Sequence, residues 1–200
     1  MKTLFSMLVM CLLATGIYAQ RIAVKSGSID FLKNEKILTV KFTYNNMRVG
    51  KMTEEDYVSK KIIESNDKEP GKGDNWYKMW IDDRSNRFEP KFIELFDKIM
   101  SDKRGIELTE NDGNRYVMTV NTHFTEPGFN VGVARKNASV SLVATIIDTE
   151  TGKEIAVIII DNSSANNFMG MDFDVAYRIQ ESYAKAGREL AKFLVKKLKL

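Results

Sequence analysis

The sequence predicts an α+β domain: a largely antiparallel sheet of about five strands with helices packed on it, in the order β-β-α-α-β-β-β-α. Three observations carry this reading. From Tyr116 to Thr125 the side chains alternate with the period of a strand. Ile155 to Ile160 is wholly apolar and follows the turn Thr149-Glu150-Thr151-Gly152, as a central strand returning from a hairpin would. Ala176, Ile179, Tyr183, Ala186, Leu190, Phe193 and Leu194 recur at helical spacing near the end of the chain.

The elements follow in order. Ile29 and Phe31 flank Asp30 as in a short strand, and Lys33 to Lys36 reads as a turn. Leu38, Val40, Phe42 and Tyr44 then share one face of a second strand. Thr53 has the character of a helix N-cap, with Glu54, Glu55 and Asp56 in the first turn, where negative charge is favoured. This helix is expected to stop near Asn66. Pro70, Gly71 and Gly73 then break any periodicity, so residues 66–88 are expected to form an elaborated loop. Glu89-Pro90 opens a second helix, with Phe92, Leu95, Phe96 and Ile99 on one side and Gly105 just past its end. On the next strand Tyr116, Met118, Val120, Thr122 and Phe124 face one way; Val117, Thr119, Asn121, His123 and Thr125 face the other. A loop with Pro127, Gly128 and Gly132 leads to a hairpin whose arms are Ala138 to Asp148 and Lys153 to Asp161, with Gly152 in a left-handed conformation. After a polar loop, the last helix is expected from about Asp172 to Lys199, roughly 40 Å of helix at 1.5 Å per residue.

Residues 1–19 have the layout of a secretory signal peptide: Lys2, the apolar run from Leu4 to Leu13, and a stretch ending in the small residue Ala19. Cleavage after Ala19 gives a mature start at Gln20. The run is short for a bilayer span, and no second apolar stretch of spanning length follows. The chain is therefore expected to be periplasmic or otherwise exported, with residues 20–200 as one domain. Its single cysteine, Cys11, departs with the leader, so the mature domain rests on its core and not on disulfides. Cys11 also sits inside the apolar run after Met10, where a lipid-attachment cysteine would not be placed. Net charge is +3 and both signs are interspersed, which is too diffuse for a nucleic-acid footprint. The basic end (Lys192, Lys196, Lys197, Lys199) suits the negative end of a helix dipole.

Several short segments carry a family resemblance: Arg48-Val49-Gly50-Lys51-Met52-Thr53, Glu69-Pro70-Gly71-Lys72-Gly73-Asp74 with Trp80 and Asp83-Arg84, Arg87-Phe88-Glu89-Pro90-Lys91-Phe92, Pro127-Gly128 with Gly132, and Asp148 to Lys153. In these and in element order the chain resembles small secreted proteins of Bacteroides-type bacteria, over most of residues 29–198. In topology and in the last hairpin and helix it is similar to CsgG-type and TolB N-terminal-like envelope domains. The resemblance implies an envelope-associated α+β module and supplies no catalytic residues. CsgG itself is lipidated and forms a pore. Neither property is carried over, because the lipidation cysteine and a pair of alternating membrane strands are missing here.

Candidate chemistry is sparse. His123 is the only histidine, so a Ser-His-Asp triad would have to use it, and a several-histidine zinc site is excluded. No serine stands in a Gly-x-Ser-x-Gly elbow. Glu54/Glu55 and Asp172/Asp174 are accounted for as helix N-terminal charges, which leaves Asp82-Asp83-Arg84 as the acid-rich segment without an evident local role. Gly71-Lys72-Gly73 lacks the Gly-Lys-Ser/Thr ending of a phosphate loop. The strongest binding candidate is Trp76, Tyr77 and Trp80 with Asp83 and Arg84, beside the Pro-Gly-Lys-Gly segment: aromatics next to a polar loop anchor protein partners or sugar rings. The competing reading folds both tryptophans back as a lid on the domain. Phe168, Met169 and Met171 form a second apolar candidate, either a surface patch or a plug for the sheet's end. No cofactor or metal is expected. The function expected is a non-catalytic interaction or assembly module of the envelope, joined to another envelope protein or to its own copies. The alternative is a small-ligand or glycan-binding protein using Trp76 to Trp80, and a carboxylate hydrolase ranks third.

Overall fold

The computed structural model describes residues 20–131, 133–165 and 174–198. The leader at 1–19, Gly132, the Phe168-Met169-Met171 candidate, Asp172 and Lys199 lie outside the described residues. The α+β class holds, with more strands than expected. One sheet runs β1 (Arg21–Gly27), β10 (Lys153–Ser163), β9 (Ser139–Asp148), β6 (Tyr116–Glu126), β2 (Ile37–Thr43), β5 (Glu107–Thr109). The short strands β3 (Arg48–Val49) and β4 (Met52–Thr53) attach beside β6, and β7 (Phe129–Asn130) with β8 (Arg135–Lys136) makes a separate two-stranded sheet. The helices are α1 (Glu54–Asn66), α2 (Lys72–Asp83), α3 (Glu89–Arg104) and α4 (Val175–Lys197).

Half of this sheet matches the antiparallel expectation. β1, β10, β9 and β6 pair antiparallel in succession. β2, however, pairs parallel with both β5 and β6, because the chain between them crosses over through three helices. The strand expected at Ile29–Phe31 is instead part of a 3-10 turn, Asp30–Lys33, in which Leu32 is buried and Phe31 packs 4.3 Å from the Tyr116 ring. The true first strand lies upstream, with Ile22 opposite Ile160 and Val24 opposite Ile158.

Several local signals hold. Thr53 caps α1 by accepting a hydrogen bond from the Asp56 amide at 3.1 Å. Gly105, with φ +63°, ends α3. Gly152, with φ +68°, turns the β9–β10 hairpin. Asp174 caps α4 through the Ala176 amide at 2.9 Å. The alternation of β6 breaks once: His123 is the extra residue of a bulge between Thr122 and Phe124. A bulge shifts the pattern by one, so Thr125 is buried on the core side although simple alternation puts it outside.

α3 and α4 pack against one another, and α4 lies on one face of the sheet. The core between them is Val40, Met118, Val120, Leu142, Ala144, Ile146, Ile158 and Ile160 from the strands, with Phe92, Phe96, Tyr183 and Leu190 from the helices. Gly187 sits where the two helices approach: a Cβ there would lie 2.9 Å from the Phe92 carbonyl carbon and closer still to its oxygen. The opposite sheet face carries Lys41, Thr43, Val117, Thr119, Val143, Thr145, Ile147 and Ile159, whose cross-strand partners place them together. These side chains are half-buried or exposed, and among the described residues no helix covers them.

Candidate functional site

The expected loop at 66–88 is mostly helix. Asn66, the last residue of α1, accepts from the Gly73 amide at 2.7 Å through its side chain and so starts α2. Gly73 is needed there because a Cβ would sit 2.7 Å from Ile62 Cα. A π-helical turn, Arg84–Phe88, then joins α2 directly to α3. Such turns often mark functional positions, and this one carries Arg84 and Arg87.

The five candidate residues divide between two sides of α2. Trp80 is 7% exposed, and its indole Nε1 donates to Glu54 Oε1 at 2.7 Å. Trp76 is half-buried and stacks on Trp80 at 5.6 Å, while Tyr57 of α1 meets the rings at 6.0 and 5.5 Å. Most of this aromatic surface therefore joins α1 to α2. Arg84 forms an ion pair with the same Glu54 oxygen, and its guanidinium lies 4.1 Å from the centre of the Tyr44 ring. Tyr77 remains 42% exposed. Asp83 pairs with Arg87 at 3.5 Å, and Arg87 also reaches Asp174 at 3.1 Å and Gln180 at 3.2 Å. Burial holds the Asp83 carboxyl above its ordinary range despite the attraction of Arg87.

Two clefts result. One, about 650 Å³, is lined by Tyr44, Glu54, Val58, Tyr77, Ile81 and Arg84 among others. The other, about 380 Å³, lies between α2 and the start of α4 and is lined by Trp76, Met79, Trp80, Asp83, Arg87 and Asp174 among others. Tyr77 and Arg84 thus belong to the first; Trp76, Trp80 and Asp83 belong to the second. In the second cleft Arg87 bridges Asp83 and Asp174, so these acids are an ion-paired set. Among the described residues no group of three or more His, Cys, Asp or Glu is placed to hold a metal.

Sequence reading missed the groups that fix this region. Glu54, whose place in the first turn of α1 suggests only a helix-dipole role, receives both Trp80 and Arg84. Tyr44 donates to Glu89 Oε1 at 2.9 Å, and burial pushes its phenol far above the ordinary tyrosine range. Tyr183, fully buried, shares a 2.6 Å hydrogen bond with Thr122 and is also raised by burial. These partners lie tens of residues apart, where no sequence spacing reveals them. Only Asp83–Arg87, four apart, carried a readable helical signal.

No family model matches the chain, and no curated protein matches it. Among solved structures, it is similar to PelC from Paraburkholderia phytofirmans, described as a dodecamer, with 10% identity, 84% of this chain and 98% of that one covered, and a TM-score of 0.39. It is also similar to a DUF330-family protein from Xanthomonas campestris, with 9% identity, 80% and 84% coverage, and a TM-score of 0.38. These likenesses are distant, and no residue role is carried across from them.

Proposed function

We propose that this chain is a non-catalytic, exported interaction module of the cell envelope, and that it docks another protein or its own copies on the uncovered sheet face. The observation that carries the reading is the composition of that face. Val143, Ile147 and Ile159 are apolar, and no described helix covers them. Ile147 is exposed, Val143 and Ile159 are half-buried, and apolar side chains on a sheet face without a covering helix are the feature that interaction sites share. The envelope setting rests on the leader-like residues 1–19 and on the resemblance to CsgG-type domains. The non-catalytic part rests on how three of the six candidate acids are used: Glu54, Asp83 and Asp174 are each ion-paired with an arginine.

The test is light scattering on residues 20–200, with a parallel pull-down from envelope extract, for wild type and Ile159→Lys. The expected result is an oligomer or a captured partner that the variant loses while its thermal unfolding stays cooperative. A monomeric wild type whose captured proteins are the same as those of the variant would sink the proposal.

A second reading has its own observation: the 380 Å³ cleft presents the half-buried Trp76 beside Asp83 and Arg87. A small ligand or glycan stacked on Trp76 would alter indole fluorescence. A titration with oligosaccharides that leaves wild type and Trp76→Ala equally silent removes this alternative.

A further inference from the structure

The larger of the two clefts, about 650 Å³, shares no residue with the uncovered sheet face or with the 380 Å³ cleft. Its walls come from the turn after β2, from β3 and β4, from the first half of α1 and from α2. Val58, Tyr77 and Ile81 give it an apolar side; Tyr77 and Ile81 stand one turn apart on α2, and both are exposed. Its charges are unevenly committed. Glu54 and Arg84 pair with one another. Arg48 spends one guanidinium nitrogen on the Lys51 carbonyl at 3.0 Å and has no acid partner among the described residues. The Glu55 carboxylate has neither an ion pair nor a hydrogen bond among the described residues. One uncompensated charge of each sign therefore lines the cleft beside apolar side chains.

The frame around these groups is tied together by the chain itself. The turn after β2 is closed by the Met47 amide donating to the Tyr44 carbonyl at 3.4 Å. Asn121 of β6 holds that turn from the side, accepting from the Asn45 amide at 2.9 Å and donating to the Asn45 carbonyl at 3.3 Å. The Glu54 amide donates to the Met47 carbonyl at 3.0 Å, which joins the start of α1 to the same turn. Glu54 in turn holds α2 through Trp80 and Arg84. A frame set in this way loses little ordering entropy on binding. Arg48 faces Thr53 across the β3–β4 pair, so it lies close to the start of α1, where Glu55 stands. β4 has β3 as its strand neighbour, and its other edge is unpaired with any described strand.

We propose that this cleft binds a short peptide with free termini: its ammonium group meets Glu55, its carboxylate meets Arg48, and an apolar side chain lies against Val58, Tyr77 and Ile81. The class is argued from charge, size and the open strand edge. A ligand of a single charge would meet one partner and one like charge, whereas a zwitterion satisfies both. Arg48 offers planar N–H donors, the geometry that suits a carboxylate. At about 650 Å³ the cleft lies within the ~300–1,000 Å³ of small-ligand sites. The open edge of β4 ends at Thr53 on the cleft wall and offers backbone groups to an extended chain, which a free amino acid would leave unused.

The experiment is isothermal titration calorimetry of residues 20–200 with the tripeptide leucyl-alanyl-leucine at millimolar concentration, with its N-acetyl form, with its C-terminal amide and with free leucine. Wild type is compared with Glu55→Gln and Arg48→Gln. Both side chains are exposed, so both variants should melt with the wild type, and melting curves are recorded alongside. Wild type is expected to bind the free tripeptide about tenfold more tightly than either blocked form, as the loss of one charge-assisted contact implies. Glu55→Gln should lose the preference for the free amine alone, and Arg48→Gln the preference for the free carboxylate alone. Absence of binding to the free tripeptide, equal binding of free and blocked forms, or variants that weaken every form alike overturns the proposal. Leucine binding as tightly as the tripeptide also overturns it, and reassigns the cleft to a single amino acid.

Discussion

Gly187→Ala sets two opposing effects against each other. In an isolated helix this change is favourable by about 1 kcal/mol, because glycine loses more backbone entropy on folding. At Gly187 the new methyl would lie 2.9 Å from the Phe92 carbonyl carbon and 3.1 Å from its Cα. These are backbone atoms of α3, so no side chain can rotate away and the two helices must part. Overpacking costs about 1–3 kcal/mol, and a backbone obstacle places this site at the upper end of that range. About 3 less about 1 leaves a net loss near 2 kcal/mol. For a chain of this size that is a fall in Tm of about 4–8 °C. The assay is thermal unfolding of residues 20–200 by circular dichroism, with a urea curve to verify an unchanged slope. An unchanged or raised Tm would refute the close approach of α3 and α4 and the placement of Gly187 within it.

Tyr183→Phe leaves the fully buried Thr122 hydroxyl without its 2.6 Å partner, and is expected to cost about 1–3 kcal/mol in urea unfolding. Glu89→Gln is expected to stabilise the protein at pH 8, because burial holds the Glu89 carboxyl above its ordinary range and the folded state therefore disfavours its charge. The wild type regains stability as pH falls through that raised value, so the advantage of the variant should shrink toward pH 4; an advantage that is constant or grows in acid would contradict the assignment.

What the sequence revealed depended on how local the determining contacts are. α1, α3 and α4 were legible because caps and stripes lie within a few residues of one another: Thr53 with Asp56, Pro90 with Gly105 beyond, Asp174 with Ala176. The β9–β10 hairpin was legible for the same reason, since Gly152 and the two apolar arms are contiguous. α2 was hidden because Gly71 and Gly73 look like loop residues, although Gly73 serves a close contact with Ile62 and takes its cap from Asn66. β1 was overlooked because Lys25 and Ser26 blur its alternation beside the leader, and Lys25 falls at the register shift in its pairing with β10. The parallel pairing of β2 with β6 depends on contacts more than seventy residues apart, which no window contains. At the candidate site the residue types were readable, but their division between two clefts follows from the pitch of a helix the sequence seemed to forbid.

The uncovered sheet face also varies along its width, and that variation separates a docking surface from an ordinary wet one. On β2 the outward residues are Lys41 and Thr43, which suit water, and Lys41 pairs with Asp112 at 2.7 Å. On β9 and β10 they are Val143, Thr145, Ile147 and Ile159, with Val157 beside Thr145 already buried, so these strands are largely apolar on both faces. An antiparallel strand with one solvated face normally alternates polar with apolar, as β2 does. With Val157 buried within the chain, a partner would complete the burial of Val143, Ile147 and Ile159. If it comes from a partner, charge should matter by position: Ile159→Lys should abolish association, and Lys41→Gln, on the same face but at its polar side, should leave it intact. Equal sensitivity at both positions would mean that the face acts only through general charge, and the docking surface would have to be sought elsewhere.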